Sequence, residues 1–231
     1  MLQKVETGPL DLQPYRELVD EETFRDLERL AIRLRGLKVG HLNATSMGGG
    51  VAEILRSLVP LMNCLGVKTD WYCISPDRDF FQVTKNIHNS LQGGSWQFDS
   101  RAHEIFLLQN RRITEEIQGL NVDLWVVHDP QPCPISAGML SFRQAIWHCH
   151  IDTSTPNRAV WNYLYRYLKG YDRLVFCLPE YINNSVPPDR VRFLLPAIDP
   201  LTPKNQCLPR SKAKAILSRL AARVLSIERV P

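Results

Sequence analysis

Hydrophobic positions recur along this chain with two alternating periods, and the alternation predicts its elements. Phe24, Leu27, Leu30, Ala31 and Leu34 stand at helical spacing among Arg and Glu, with Asp20 placed to cap the helix. Leu37 to Leu42 then reads as a strand that delivers the chain into a glycine run, Gly48-Gly49-Gly50. Val51, Ile54, Leu55, Leu58, Met62 and Leu65 form a helical apolar face that stops at Gly66, a residue suited to the position just past a helix end. Alternation returns at Val67, Thr69, Trp71 and Cys73. Strand, helix and strand in this order make a βαβ unit.

The same reading extends to the rest of the chain. Two helices are expected over 80–91 and 100–117, separated by Gly93-Gly94. The run Val122 to Val127 is a strand ending at His128, apolar at odd and even positions alike except for Asp123, so it is expected to be buried on both faces. A proline-rich loop, 130–134, leads toward the strand Ala145-Ile146-Trp147, which ends at His150. Pro156 suits the first turn of a helix with Val160, Leu164 and Leu168 on one face. Short strands follow at 174–176 and 191–195, and Ser211 to Val224 is a last helix with Ala213, Ile216, Leu217, Leu220 and Val224 expected inward. Alternating strands and helices imply an α/β fold with a single doubly wound, mainly parallel sheet. Residues 1–36 are expected to be a helical extension packed on a domain spanning 37–231.

Composition narrows the function classes. At 231 residues and 44% hydrophobic, the chain can bury a substantial core. A net charge of +4, from 28 basic and 24 acidic residues mixed along the sequence, gives no basic stripe, so no nucleic-acid partner is expected. No stretch approaches the ~18 apolar residues of a membrane span. The amino terminus lacks a basic-then-apolar signal pattern, and a cytoplasmic protein without a membrane partner is expected. The six cysteines, Cys64, Cys73, Cys133, Cys149, Cys177 and Cys207, form no C-x-x-C pair, which argues for reduced, buried thiols rather than a zinc ribbon or a disulfide framework.

The candidate chemistry gathers at strand ends. His128-Asp129-Pro130-Gln131 and His148-Cys149-His150-Ile151-Asp152 each follow a buried strand, so their polar groups emerge at the carboxyl edge of the sheet, where open α/β sheets bind ligands. Gly48-Gly49-Gly50 matches neither the dinucleotide fingerprint nor a P-loop. Its use would be to let backbone approach a ligand closely, with the amides of the next helix facing an anion; the alternative is a flexible turn. His88 and Asn89, on an amide-rich segment, suit sugar hydroxyls, although the spacing by itself favours a solvated helix face. His148 and His150 point to one side of a continuing strand, which admits a rival reading as a metal-dependent hydrolase with an Asp as third ligand. His41, His88 and His103 lie on separate elements and add no cluster, so no metal ligand is assigned.

Taken together, the blocks 43–55, 80–93, 127–132 and 150–157, in this order, closely resemble the amino-terminal half of trehalose glycosyltransferring synthases, retaining GT-B glycosyltransferases whose family also holds a trehalose phosphorylase. The resemblance continues through Tyr171-Asp172-Arg173, Pro179-Glu180-Tyr181 and Pro196-Ala197-Ile198-Asp199-Pro200-Leu201. It implies a Rossmann-like domain forming the acceptor side of a two-domain enzyme. Carried onto this chain, Gly48 to Gly50 would border the donor diphosphate and the acceptor. Asp129 would accept hydrogen bonds from acceptor hydroxyls, and the backbone carbonyl of His150 would stabilise positive charge at the anomeric carbon. His88, Asn89, His128, Gln131, Asp152 and Asn157 would contribute to substrate binding. His148 departs from the family, where Arg is expected.

The implied partners are glucose or trehalose, with nucleoside-diphosphate glucose as co-substrate once a carboxy-terminal domain is supplied. No tightly bound cofactor is expected, and Mg2+ accompanying the nucleotide is left open. Residues 225–231 read as the linker to a second domain, whose presence as a separate half, or a homodimer, stays open. Trehalose phosphorylase, a non-catalytic sugar-binding or partner-binding domain, and the metal-dependent hydrolase are the alternatives.

Overall fold

A computed structural model describes residues 2–75, 77–139 and 144–227. Seven strands are present among these residues: β1 (Leu2–Lys4), β2 (Lys38–Asn43), β3 (Lys68–Ile74), β4 (Leu124–His128), β5 (Gln144–Cys149), β6 (Arg173–Phe176) and β7 (Val191–Phe193). They form one sheet in the order β1-β3-β2-β4-β5-β6-β7. Every neighbouring pair is parallel except β1 with β3. The helices are α1 (Gln13–Arg16), α2 (Glu21–Arg33), α3 (Gly50–Cys64), α4 (Arg78–Leu91), α5 (Ser100–Gln118), α6 (Ser136–Met139), α7 (Arg158–Leu168) and α8 (Arg210–Ile227). This is the expected α/β architecture, and the reversal of strand order at β2 and β4 creates the switch point at which such sheets bind ligands.

Local signals account for the boundaries. Asp20, Asp77 and Asp99 each accept a hydrogen bond from the third residue on, capping α2, α4 and α5. Gly66, with φ 87°, ends α3 in the left-handed region that favours glycine. Pro156 stands one residue before the cap of α7 rather than in its first turn, because the Asn157 side chain takes the free amides of Ala159 and Val160. Residues 2–4 contribute an antiparallel strand that the helical reading of the amino terminus does not contain; three residues are too short to show a period. No helix among the described residues is long and apolar enough to cross a membrane.

The two sheet faces differ. On one, Leu42, Tyr72, Trp125, Val127 and Trp147 join the apolar sides of α4, α5 and α7 in the main core. On the other, α3 packs Ala52, Leu55 and Val59 against Trp71 and Cys73, and a small cluster joins Ala31 of α2 to Val39. Gly40 belongs to the first face, where a Cβ would stand 2.7 Å and 2.8 Å from two ring carbons of the fully buried Trp125. Gly40→Ala is therefore expected to destabilise the fold by about 1–3 kcal/mol through overpacking, read as a lower urea midpoint; an unchanged midpoint would mean that the indole shifts freely.

The chain divides into two compact units, 1–197 and 198–231. The second opens on a turn in which Asp199 accepts from the Leu201 amide at 2.9 Å, and continues as α8. That helix runs through Ile227, so 225–227, read above as linker, are helical; 228–231 lie outside the described residues.

Candidate functional site

Strand register brings four histidines onto one face. In the β4–β5 pairing His128 stands opposite His148, and His150, two residues further on, keeps to the same side. In the β2–β4 pairing His41 stands opposite Val126, two residues before His128, so its side chain also joins that face. The imidazoles touch in file. Nδ1 of His41 is 3.0 Å from Nε2 of His128, and Nδ1 of His128 is 2.9 Å from Nε2 of His150. The ring of His148 lies 3.9 Å, centroid to centroid, from that of His150.

These rings are held neutral. Burial, reinforced by neighbouring imidazoles, pushes His41 down to about 4, His150 down to about 3, and His128 well below the usual histidine range. Burial alone takes His148 down to about 4. A protonated ring here would be a desolvated cation, and a second one beside it would meet a like charge. His128, His148 and His150 each offer a nitrogen, all within 4.8 Å of one another, as a metal-ligand set would. Where the hydrolase reading takes an aspartate, the structure supplies His128. An ion at this place would displace the 2.9 Å bond between His128 and His150.

Asp129 is the strained residue of the site. Its φ of 62° is the one positive value among the described non-glycine residues, a conformation that costs on the order of 1–3 kcal/mol. Three bonds to the end of β5 hold it. Its amide donates to the His148 carbonyl at 2.9 Å, its carbonyl accepts from the Trp147 indole at 2.8 Å, and its Oδ1 accepts from the His150 amide at 2.8 Å. The turn folds the carboxylate back across the ends of two strands. Burial raises its pKa to about 7, against the lowering effect of the His150 amide.

A cleft of about 370 Å³ opens at this carboxyl edge. Of the residues singled out in the sequence, Gly48, Gly49, Gly50, His88, His128, Asp129, Gln131 and His150 line it. Asn89, Asp152 and Asn157 are outside the lining. Asp152 accepts from the Ser154 amide at 2.8 Å, and Asn157 caps α7 while its amide group reaches the carbonyls of Gly94 and Trp96. Gly48 and Gly49 have φ of 70° and 83°, and nothing lies within 4 Å of where their Cβ atoms would stand, so backbone conformation rather than crowding calls for glycine. Gly49 caps α3 without a side-chain bond, and Gly50, Val51 and Ala52 of the first turn line the cleft. Among the described residues, the cleft lining contains no Lys or Arg.

Two contributors escaped the sequence reading. His41 joins the file only because β2 neighbours β4, which its local sequence does not show. Asn43, read simply as the start of the glycine loop, accepts from the Trp71 indole at 2.8 Å and donates to the Thr45 carbonyl at 2.7 Å, tying the loop to β3. An amide at the last position of a buried strand was the available signal.

Residues 41–183, which include every site residue named above, match the family model described as trehalose synthase, N-terminal domain. The chain is 42% identical over 229 residues to a trehalose synthase of Rubrobacter xylanophilus, covering 97% of this chain and 55% of that protein. It is 38% identical over 218 residues to a trehalose synthase of Pyrococcus horikoshii, covering 92% and 52%. A trehalose phosphorylase of Pleurotus pulmonarius is 29% identical over 222 residues, covering 86% and 30%. The chain thus spans about half the length of the curated synthases it matches.

Proposed function

We propose that this chain, which belongs to the family of trehalose synthase N-terminal domains, forms the acceptor side of a retaining glycosyltransferase that moves glucose reversibly between nucleoside-diphosphate glucose and glucose. The observation that carries the reading is the meeting of Asp129, His150 and the Gly48 to Gly50 loop in one cleft. The chemistry suits a sugar. When ionised, the Asp129 carboxylate is an acceptor for sugar hydroxyls beyond the bond it takes from the His150 amide. The His150 carbonyl offers a fixed dipole to charge developing at an anomeric carbon. Retention by front-face attack, with a leaving phosphate oxygen taking the acceptor proton, needs no pair of flanking carboxylates of the glycosidase kind. The first-turn amides of α3 suit one end of a diphosphate.

In this reading the domain is one half of a GT-B enzyme working in the cytoplasm. Donor grip, and Mg2+ if it accompanies the nucleotide, come with a second domain. Synthase is favoured over phosphorylase because the synthase relatives match at 38–42% identity and the phosphorylase at 29%.

The test is a titration of the chain with glucose and with trehalose, followed by amide NMR. Shifts should centre on Gly48 to Gly50, Asp129 and His150, with affinity in the millimolar range set by a few hydrogen bonds in an open cleft. Asp129→Ala should weaken binding by about 1.5–3 kcal/mol, the scale of a charge-assisted bond. Sugar-induced shifts elsewhere, or an Asp129→Ala variant that binds glucose normally, would sink the assignment.

A further inference from the structure

The bonds from His41 to His128 and from His128 to His150 form a chain with a direction. A neutral imidazole carries one N–H and one lone pair, so His128 cannot donate, or accept, on both sides. Two arrangements remain. Running outward, all three rings carry the proton on Nδ1, and the chain ends on Nδ1–H of His150. Running inward, all three carry it on Nε2, and the chain ends on Nε2–H of His41.

The closed end decides between them. Nε2 of His41 is buried and has no hydrogen-bond partner among the described residues. The inward chain would place a donor there with no acceptor, the rarer and costlier kind of orphan, whereas the outward chain leaves only a bare lone pair. His150, at the other end, lines the cleft. We infer that the chain runs outward and that His41 and His128 are positioning residues: they hold the proton on Nδ1 of His150 and make its ring a fixed hydrogen-bond donor to a ligand oxygen. A neutral hydroxyl or ring oxygen satisfies such a donor. The depressed pKa values of the three rings keep each of them neutral, which the chain requires.

The tautomer assignment stands on the hydrogen-bond geometry of neutral rings; that the oxygen belongs to a sugar rests on the glucosyl-transfer reading. The experiment is long-range 1H–15N correlation NMR on protein with 15N-labelled histidine at pH 7.5, where each tautomer has its own pattern. The wild-type chain should show Nδ1–H at His41, His128 and His150. In His128→Phe, which keeps a planar ring, His150 should lose the single Nδ1–H form and populate Nε2–H, while the amide spectrum stays that of the folded protein. In His41→Phe, outside the cleft, His150 should keep Nδ1–H because His128 still donates to it. Nε2–H at His150 in the wild-type chain overturns the inference without any variant having to fold. So does an unchanged His150 tautomer in His128→Phe. Glucose titration of the same samples is a separate arm: a loss of about tenfold in affinity in His128→Phe supports the role in ligand binding, while a wild-type chain that binds no glucose overturns the transfer reading and leaves the tautomers to be judged by their own signals.

Discussion

Asp129→Asn is expected to make the protein more stable at pH 8, by up to about 4 kcal/mol, while making it a poorer sugar binder. The stability half follows from linkage. Burial raises the folded-state pKa of Asp129 to about 7 from an ordinary 3.8. A raised pKa means that the folded state holds its proton more tightly, so this contribution is complete below pH 3.8 and is lost as pH rises through about 7. Raising the carboxyl from 3.8 to about 7 corresponds to about 4 kcal/mol. Asparagine carries no charge to desolvate, still offers an oxygen to the His150 amide, and tolerates the left-handed backbone at this position. The histidines act in the opposite direction. Their folded pKa values are depressed, so their contribution is present above about 6.5 and is lost as pH falls toward 4. They are common to both proteins, so the difference between wild type and variant isolates Asp129. Urea unfolding at pH 4 and pH 8 should show a gap below about 1 kcal/mol at the lower pH, widening toward the full value at the higher. A gap that does not change with pH would mean that the carboxylate ionises in the fold at no cost. A stabilised but weaker-binding variant would identify Asp129 as a residue kept for its chemistry at the expense of the fold.

The second large effect concerns turnover. Assayed by itself, the 231-residue chain is expected to transfer no detectable glucose from nucleoside-diphosphate glucose to glucose. The reason lies in the cleft: among the described residues its lining has no Lys or Arg, and the backbone amides at the start of α3 are its main answer to an anion. Expelling a nucleoside diphosphate needs its charge neutralised as it leaves. Holding donor and acceptor at attack distance is worth effective molarities of about 10⁵–10⁸ M in well-oriented systems. A surface that presents one reactant supplies neither. Mixing the chain with a separately made carboxy-terminal half of a full-length synthase relative, and measuring trehalose, should restore transfer if the two halves assemble. Turnover by the chain alone would contradict the acceptor-side reading.

Much of this site is legible in the sequence because strands and helices declare themselves locally. The apolar run before His128 and the alternation around Trp71 set strands and their inward faces through the period of two. Asp20 and Gly66 mark helix ends through groups that sit within a turn of the backbone they satisfy. The convergence of Asp129, His150 and the glycine loop follows from each emerging after a parallel strand, since such strands all end at one edge of the sheet.

Other features depend on which strands become neighbours. β3 takes the outer place, so β2 lies against β4 and His41 comes within 3.0 Å of His128. Asp129 takes a left-handed backbone because the end of β5 offers it three hydrogen bonds, and its carboxyl is raised to about 7 because the surrounding core excludes water. His148 faces His128 through register, a relation between residues twenty apart in the chain. By itself, then, the sequence determined the succession of strands and helices, the side of each strand that faces inward, and the edge at which the polar residues emerge, since these depend on steric and solvation preferences within a few residues. Tertiary structure alone decided the order of the strands, and with it the histidine chain, the strained aspartate and their protonation, because hydrogen bonds and desolvation act between groups that only folding brings together.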